Sequence, residues 1–542
     1  MARTSNASDD ESRTTRTTDV LVVGTGIAGC AAALGAAREG AEVLVVTKAE
    51  RPEDAASDWA QGGISTTGTD PATFRRDILD ASAGTADEAA VDVLVENADD
   101  AVSDVLVDTL GVEFDVDPET DAFDFTREAA HSEERILHVD ASTGRHILRP
   151  FLRHLDEHPS VEVLEDTAAL ELVTHEGRVH GAMLDRDPAD ASSGAGVPPR
   201  AETGAPVFAG TTVLATGGIG DCYGRSTNPA GSTGDGIGMA ALAGADVADM
   251  EFVQFHPTAF AGSETRRDSD RSGETAGDDD SFLLSEAIRG EGGLLYNADG
   301  KRFMPDYHED AELAPRDVVA RAVQDEIDAT GGVTLDVTTL DDPFDDAFPD
   351  LAAKCEERDV DWATGIPVAP CEHFLCGGID VDHEGRTSLD RLYAVGECAR
   401  TGVHGANRLA STSLLEGLVW GLRAGADAAG VDPEPVETPD LLARDPDLPP
   451  RFAAEKFRRL QRVMDEYVGL RRSPSDLGRA QAVLRRLKGE VDAYVRTRTA
   501  RDLYELRHAS VTALLVARAA AENDESVGCH YVEAAETAPA DD

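Results

Sequence analysis

The sequence predicts an α/β fold, and three observations support this prediction. Apolar runs that end in glycine occur at residues 20–24, 212–218 and 391–397. The first of them opens a strand–helix–strand unit, the building block of a Rossmann-like dinucleotide-binding domain. Beyond residue 433, apolar residues recur at spacings of four and three, which indicates helices. We therefore expect a Rossmann-like domain that is interrupted by an α+β capping domain and followed by a C-terminal helical bundle.

The strand–helix–strand unit reads DVLVVGTGIAGCAAALGAAREGAEVLVV at residues 19–46. Gly24, Gly26 and Gly29 have the spacing G-x-G-x-x-G between a predicted strand and a predicted helix at residues 30–38. Glycine at these positions permits a tight turn and a close approach of backbone to a pyrophosphate, and the helix start attracts the phosphates. The sequence therefore predicts dinucleotide binding rather than a turn alone.

The end of the second strand departs from the usual pattern. An Asp or Glu about 20 residues after the glycines usually holds the adenosine ribose, but the strand ends in Val46, Thr47 and Lys48. Either Lys48 approaches the adenosine side or Glu50 takes the acidic role one turn later. A surface lysine is the third interpretation, although the chain has only five lysines.

Composition excludes several classes of protein. The chain has 542 residues, 41% of them hydrophobic, and no uninterrupted apolar run reaches the 18 residues of a membrane span. A net charge of −55 repels nucleic acid and anionic membranes, so we expect neither as a partner. Residues 1–16 lack the apolar core of a signal peptide and are predicted to be a disordered tail. We expect a cytoplasmic protein.

The acidic surface and the cysteines indicate the protein's surroundings rather than its chemistry. With 104 acidic residues, and with arginine strongly preferred to lysine, the composition resembles that of proteins from extreme halophiles. The seven cysteines form no C-x-x-C pair, so we expect reduced thiols. Cys371 and Cys376 flank His373, but their spacing fits no common zinc pattern, and we expect no metal.

Shifts in composition predict the domain boundaries. Residues 17–245 and 353–432 are assigned to the dinucleotide-binding domain, 246–352 to the capping domain and 433–542 to the helical domain. Residues 161–181 alternate like a β-meander, whereas residues 186–206 and 262–281 have the composition of solvated insertions. No chemistry is evident in the helical domain, whose predicted role is packing.

Three remote segments carry residues that a structural role does not require. They are QFHPT at residues 254–258, SEAIRGEGG at 285–293, and EHFLCGG at 372–378 together with HGANRLASTSLLE at 404–416. A guanidinium can bind a carboxylate through two hydrogen bonds. Two arginines and two histidines from these segments would form a dicarboxylate receptor if they converge. Taken singly, His256 also fits an ordinary turn histidine, Arg289 a surface arginine at a helix end, and Arg408 a solvated arginine beside a helix start.

Together these motifs resemble the flavoprotein family of succinate dehydrogenase, fumarate reductase and L-aspartate oxidase, in matching order over residues 17–420. The resemblance implies bound FAD. Three features favour the L-aspartate oxidase branch. Ala56 stands where the membrane-complex dehydrogenases carry the histidine that bonds to FAD, which implies noncovalent FAD. TREAAHS at residues 126–132 resembles the TREGGHS segment of the oxidases, whose glutamate faces the substrate amino group. CGG after His373 is also closer to the oxidases.

The resemblance assigns roles to individual residues. His256, Thr258, His373 and Arg408 would hold two carboxylates, Glu128 the ammonium, and Arg289 would carry a proton or act electrostatically. The FAD contacts that it implies are Gly24, Thr25, Gly26, Ile27, Ala28, Gly29, Lys48, Ala56, Ser57, Gln61, Gly62, Gly63, Asp235, Glu397, Ser413 and Leu414. Two departures stand out: two alanines replace the glycines of TREGGHS, and the C-terminal ESVGCHYVEAAE lacks the arginine and the Asp-aromatic-Pro ending common there.

The implied reaction oxidises L-aspartate to iminosuccinate and reduces FAD, which O₂ or fumarate reoxidises. Iminosuccinate would then pass to quinolinate synthase, as the first step of NAD synthesis. A soluble fumarate reductase or succinate dehydrogenase subunit is the alternative function. A non-catalytic FAD-binding protein belongs to another class, and it would need none of the four predicted histidines and arginines.

Overall fold

The computed structural model describes residues 16–139, 142–186, 200–262, 282–438, 441–442, 448–449 and 451–533. Strands and helices alternate through most of these residues, and three long helices follow near the end. The strands are β1 (Arg16–Val23), β2 (Val43–Val46), β3 (Ile64–Ser65), β4 (Phe125–Thr126), β5 (Ile136–Leu137), β6 (Val161–Leu164), β7 (Ala169–His175), β8 (Arg178–Arg186), β9 (Arg200–Leu214), β10 (Val247–Ala248), β11 (Val253–Phe260), β12 (Leu294–Asn297), β13 (Val333–Asp336), β14 (Ile366–Leu375), β15 (Gly378–Asp380), β16 (Leu392–Ala394) and β17 (Ala399–Arg400). The α-helices are α1 (Ile27–Arg38), α2 (Pro71–Ala81), α3 (Glu88–Ala101), α4 (Thr143–Asp156), α5 (Asp235–Ala243), α6 (Glu286–Gly290), α7 (Arg316–Thr330), α8 (Phe344–Ala347), α9 (Pro349–Glu356), α10 (Ser413–Ala428), α11 (Phe452–Tyr467), α12 (Pro474–Val495) and α13 (Arg501–Glu522).

The central sheet has seven strands in the order β6-β2-β1-β9-β8-β7, with β16 also paired to β9. Strands β6, β2, β1, β9 and β16 are parallel, and β8 and β7 continue the sheet in antiparallel pairing. Of the predicted meander, β7 and β8 therefore form a hairpin, whereas β6 joins the parallel edge. Alternate side chains of β1 enter separate cores, Leu21 on one face and Val20 and Val22 on the other. The predicted α/β architecture is confirmed.

Helices α1 and α10 pack closely on one face of this sheet. The approach depends on small residues, because a Cβ atom on Gly425 would lie 2.1 Å from the carbonyl oxygen of Ala32. The long helices α11, α12 and α13 lie on the other side, where Leu484, Leu487 and Val491 enter the core that contains Leu21. The predicted C-terminal helical region is thus confirmed, and it covers the face that α1 leaves open.

A second sheet, in the order β11-β14-β13-β12, forms the centre of the capping region. Its core includes Leu295, Leu335 and Ile366 together with Leu351 of α9. The sheet continues past residue 352, where the sequence analysis ended the capping domain, because β14 pairs with both β11 and β13. The sequence did not predict β14 because the strand contains two prolines, which are unusual within a sheet. The full division of the chain into domains stays a prediction.

Several predicted segments fall partly outside the described residues. Of the tail predicted at residues 1–16, residues 1–15 lie outside them, and Arg16 already pairs with Val207 as the first residue of β1. Of the two predicted insertions, residues 187–199 and 263–281 lie outside them, and residues 200–206 belong to β9 rather than to a solvated loop. Among the described residues, no helix is both long and apolar enough to cross a membrane.

Candidate active site

One cavity of about 410 Å³ follows the carboxyl edge of the parallel strands. Residues after β1, β2, β9 and β16 form one wall, and the capping sheet, α7, α10, α13 and several loops contribute to the others. Open α/β sheets bind their ligands at this edge. The predicted site residues that line the cavity are Gly24, Thr25, Gly26, Ile27, Ala28, Lys48, Ala56, Ser57, Gln61, Gly62, Gly63, Glu128, Asp235, His256, His373, Glu397, Arg408, Ser413 and Leu414.

The three glycines after β1 have different neighbours. Gly24 has a φ of 114°, and a Cβ atom there would lie 2.1 Å from the carbonyl oxygen of Ala215. Gly29 does not line the cavity, and its Cβ atom would lie 2.1 Å from the carbonyl oxygen of Gly24, so it permits the packing of α1 on β1. Gly26 precedes α1, and no side chain of its own covers the helix start. A phosphate can therefore approach the backbone there.

Lys48 lies at the end of β2 within a cluster of acidic side chains. Its Nζ atom is 2.5 Å from Oδ2 of Asp235 and 3.5 Å from Oε1 of Glu505, and it donates to Thr233 at 2.7 Å. Burial lowers the pKa of Lys48, but the two carboxylates outweigh it and hold the pKa above its ordinary value. Lys48 is therefore a fixed positive charge in the cavity wall.

Glu397 contributes a carboxyl group to the lining of the cavity. Burial raises its pKa to about 8, with a further contribution from Glu372, although the Leu375 N–H donates to Oε1 at 3.0 Å. Gly218 makes room for this carboxyl, because a Cβ atom there would lie 2.1 Å from Oε1. Near neutral pH the group is mostly protonated and can both donate and accept hydrogen bonds, which suits a hydroxyl-rich ligand.

His256 is fully buried and directs one nitrogen toward the cavity. Its Nδ1 atom accepts a hydrogen bond from the Thr258 N–H at 3.3 Å, which places the proton of the neutral ring on Nε2. Burial lowers its pKa far below the ordinary value, and the nearby His373 and arginines lower it further. Nε2 has no partner among the described residues. It is therefore a donor that awaits a ligand.

His373 and Arg408 form a pair at the same end of the cavity. Arg408 Nη2 lies 2.8 Å from Nε2 of His373, whose Nδ1 lies 2.6 Å from Thr227 Oγ1. Burial lowers the pKa of Arg408 to about 10, so the guanidinium stays charged at neutral pH. It also lies over the Phe374 ring, 4.2 Å from the ring centroid. The histidine rings of residues 256 and 373 are 5.1 Å apart, so the two histidines and Arg408 lie together, whereas the second predicted arginine, Arg289, does not line the cavity.

Glu128 adds a carboxylate to this cationic end. The Ser411 hydroxyl donates to its Oε2 at 2.5 Å. Burial and the nearby Glu286 raise its pKa, whereas the Ser411 hydrogen bond and the arginines at 316 and 408 oppose the rise. In the same loop, Ala130 has a φ of 64°, in the left-handed region that favours glycine. This conformation is the physical reason for a glycine preference at that position in TREGGHS.

Comparison with known proteins places these features in a family. A family model described as an FAD binding domain matches residues 19–414. An L-aspartate oxidase of Halobacterium salinarum is 68% identical over 528 residues, which cover 96% of this chain and 98% of that protein. The chain belongs to the L-aspartate oxidase family. L-aspartate oxidase 1 of Ralstonia nicotianae is 39% identical over 95% of this chain and 94% of its own length.

Among solved structures, the fold is similar to that of the FrdA protein of E. coli quinol fumarate reductase. The TM-score is 0.82 at 26% identity, and the match covers 96% of this chain and 92% of that chain. The family resemblance deduced from the sequence is thereby confirmed, and so is FAD as the cofactor. The glycine-lined start of α1 and the cation at Lys48 fit the diphosphate of FAD. The neutral Glu397 fits its hydroxyl groups.

Besides Gly29, two predicted site residues, Arg289 and Thr258, do not line the cavity. Arg289 is fully buried, where its Nη2 lies 2.7 Å from Oε1 of Glu286 and its Nη1 donates to the carbonyl oxygen of Glu312. The Thr258 hydroxyl donates to the carbonyl oxygen of Leu284 at 3.1 Å. Thr258 therefore orients His256 through its backbone N–H, and Arg289 reaches the cavity only through Glu286.

The sequence analysis missed Arg316 and Glu286 as site residues, and both line the cavity. Arg316 Nε contacts Glu286 Oε2, and its Nη1 donates to Gln254 Oε1 at 3.0 Å. Burial raises the pKa of Glu286, but its ion pairs with Arg316 and Arg289 hold it below the ordinary value. One signal was available: Arg316 begins a helix, where the helix dipole disfavours a cation unless an anion lies nearby.

The C-terminal helices of the chain also contribute to the cavity. Arg501 and Glu505 of α13 line it, and His508 Nδ1 lies 3.2 Å from Oδ1 of Asp235. The sequence analysis expected only packing from this region. No motif marks these side chains, because they reach the cavity through the docking of a helix that lies more than 450 residues after β2.

Proposed function

We propose that the chain oxidises L-aspartate to iminosuccinate with noncovalently bound FAD, in the cytoplasm, as the first step of NAD synthesis through quinolinate. One observation carries this proposal: the buried Glu128 carboxylate shares a cavity with His256, His373, Arg408 and Arg316. The cationic and donor groups match two carboxylates, and the carboxylate matches an ammonium. Aspartate carries all three groups, whereas succinate and fumarate carry no ammonium.

Binding follows from the hydrogen bonds that the site leaves available. The Nε2–H of His256 has no partner among the described residues and can donate to one substrate carboxylate. Arg408 can bind the other carboxylate, since a guanidinium binds a carboxylate more strongly than the neutral imidazole that it now contacts. Glu128, oriented by Ser411, then faces the amino group. Fixing all three groups orients the substrate Cα–H bond.

The charges behind the substrate form the chain Arg316, Glu286 and Arg289. Arg316 faces the cavity and stabilises negative charge on the substrate, whereas Arg289 lies one ion pair further away. The electrostatic role expected of Arg289 is therefore given to Arg316, to which Arg289 is linked through Glu286. The proton role of Arg289 stays a prediction. When bound, FAD accepts the hydride from the substrate Cα. The chain's own contribution is orientation and charge.

The electron acceptor and the fate of the product are further parts of the proposal. Fumarate has the same two carboxylates as aspartate and fits the same donors, so it can reoxidise the cofactor in this cavity. O₂ is the second acceptor. Iminosuccinate passes to quinolinate synthase. Ala56 lines the cavity with only a methyl group, which supports noncovalent FAD.

The test is anaerobic bleaching of the purified yellow protein in high salt. L-Aspartate should reduce the flavin, whereas succinate at the same concentration should reduce it far more slowly. Fumarate added afterwards should restore the yellow colour. Bleaching by succinate with no response to L-aspartate would instead identify a succinate dehydrogenase or fumarate reductase. Flavin that stays with the protein after acid precipitation would contradict noncovalent binding.

A further inference from the structure

The second strand of a Rossmann unit normally ends in an acidic residue that holds the adenosine ribose. In this chain β2 is followed by Thr47 and Lys48, neither of which is acidic. Glu50 is exposed, does not line the cavity, and has its backbone N–H bonded to Asp54 at 2.9 Å. The next acid along the chain, Asp54, does line the cavity, but its Oδ2 accepts hydrogen bonds from the backbone N–H groups of Glu50 and Arg51 at 2.9 and 3.0 Å, so it caps its own turn.

A carboxylate from another part of the fold lies at this position. Glu505 of α13 lines the cavity, and its Oε1 is 3.5 Å from Nζ of Lys48. Arg501, one helical turn earlier, fixes the helix there through Asp185 at 2.6 Å and Asp166 at 2.6 Å. The position of Glu505 is thus set by ion pairs with the central sheet region rather than by a flexible loop.

The two carboxylates beside Lys48 differ in how fully they are engaged. Asp235 is bonded at both oxygens, with Oδ2 2.5 Å from Lys48 and Oδ1 3.2 Å from His508. Glu505 contacts Lys48 at a longer distance. Its side chain is 24% exposed, and it lines the cavity. Of the two, Glu505 is therefore the carboxylate with room to accept hydrogen bonds from a ligand.

We propose that Glu505 accepts a hydrogen bond from a ribose hydroxyl of the adenosine half of FAD, in place of the missing acid after β2. The inference rests on the FAD site of the proposed function. It also gives the C-terminal helical region a direct role in cofactor binding. Burial raises the pKa of Glu505, and Lys48 opposes that rise.

The test measures FAD binding to apoprotein by calorimetry in high salt, with no catalytic readout. Two ligands are compared: FAD, and an FAD analogue whose adenosine ribose lacks both hydroxyls. Glu505→Ala should raise the Kd of FAD about 10- to 100-fold, the usual effect of losing a hydrogen bond to a charged group. The Kd of the analogue should be the same for both proteins. Glu505→Gln, which keeps an acceptor oxygen, should weaken FAD less.

Asp502→Ala is the matched control, because Asp502 is an exposed acid on the same helix. It should change neither Kd. Equal weakening of FAD and of the analogue by Glu505→Ala would show that Glu505 only balances Lys48, and it would overturn the proposal. Unchanged FAD binding in both Glu505 variants would overturn it as well. A wild-type protein that discriminates between the two ligands but does not bleach with L-aspartate would contradict the proposed function and not this inference.

Discussion

Glu128 is the residue that separates an aspartate enzyme from a dicarboxylate enzyme. Its carboxylate is oriented by Ser411, and Arg316 and Arg408 counter the rise in its pKa that burial causes. Glu128→Gln keeps the shape and removes the charge, so aspartate should lose a charge-assisted contact of roughly 1.5–3 kcal/mol. We expect kcat/KM for L-aspartate to fall about 10- to 100-fold, measured by anaerobic flavin reduction.

Fumarate provides the control for this variant. Because it has no ammonium, its kcat/KM as an oxidant of the reduced flavin should stay constant or rise once a repelling carboxylate is gone. A parallel fall for both substrates would show that Glu128 only orders its loop. The predicted result is a change of preference between substrates.

At the scale of residues, the sequence identified the chemistry better than the geometry. The motif segments predicted His256, His373, Arg408 and Glu128, and the structure brings them to one cavity. The sequence did not predict which of the nearby arginines faces that cavity. Arg289 belongs to the motif SEAIRGEGG, but it lies in a five-residue helix and donates to the carbonyl oxygen of Glu312. Arg316, in contrast, lines the cavity. Side-chain direction at such positions depends on tertiary packing.

The turn between β1 and α1 shows how two glycines of one motif differ. At Gly24, a methyl group meets the Ala215 carbonyl and the backbone is left-handed. At Gly26, the nearest atom to a methyl group is the Ser57 hydroxyl at 3.3 Å. Gly24→Ala should therefore destabilise the apoprotein by several kcal/mol, on the order of other strained or overpacked sites. Gly26→Ala should leave its stability within about 1 kcal/mol.

FAD titration completes this comparison. Gly26→Ala should raise the Kd of FAD at least about tenfold, because the methyl group occupies the approach to the diphosphate. Denaturant unfolding of each apoprotein and calorimetry with FAD are the two measurements. If Gly26→Ala unfolded as easily as Gly24→Ala, the two glycines would have the same structural role, and the assignment of Gly26 to the diphosphate would lose its support.

At the scale of elements, strands next to glycine were predictable and strands next to proline were not. Strands β1, β9 and β16 each end in a short apolar run, so the burial of these strand ends follows from the sequence. β14 reads IPVAPCEHFL, and its prolines and charges conceal a strand that joins two others. β6 has the alternation of a meander but pairs in parallel with β2, and the helix α4 precedes it in the chain.

At the scale of the molecule, the dominant property is the charge of −55. At low salt the carboxylates repel one another and destabilise the compact state. The Debye length falls from about 10 Å at 0.1 M to about 3 Å at 1 M salt, so Tm should rise steeply with KCl over this range. Differential scanning calorimetry of the holoprotein measures this. Sucrose, which adds no ions, should not reproduce the rise at low salt, and a Tm independent of KCl would contradict the explanation.

The docking of α13 against the cavity has a consequence for how the protein is made. Gly24 and Glu505 lie 481 residues apart (505 − 24), so at about 5–20 residues per second their synthesis is separated by roughly 25–100 s. During that interval the nascent sheet presents a pocket without the wall that α13 contributes. If Glu505 binds the ribose as proposed, flavin binding follows the synthesis of α13, and a chain truncated shortly before α13 should bind FAD weakly.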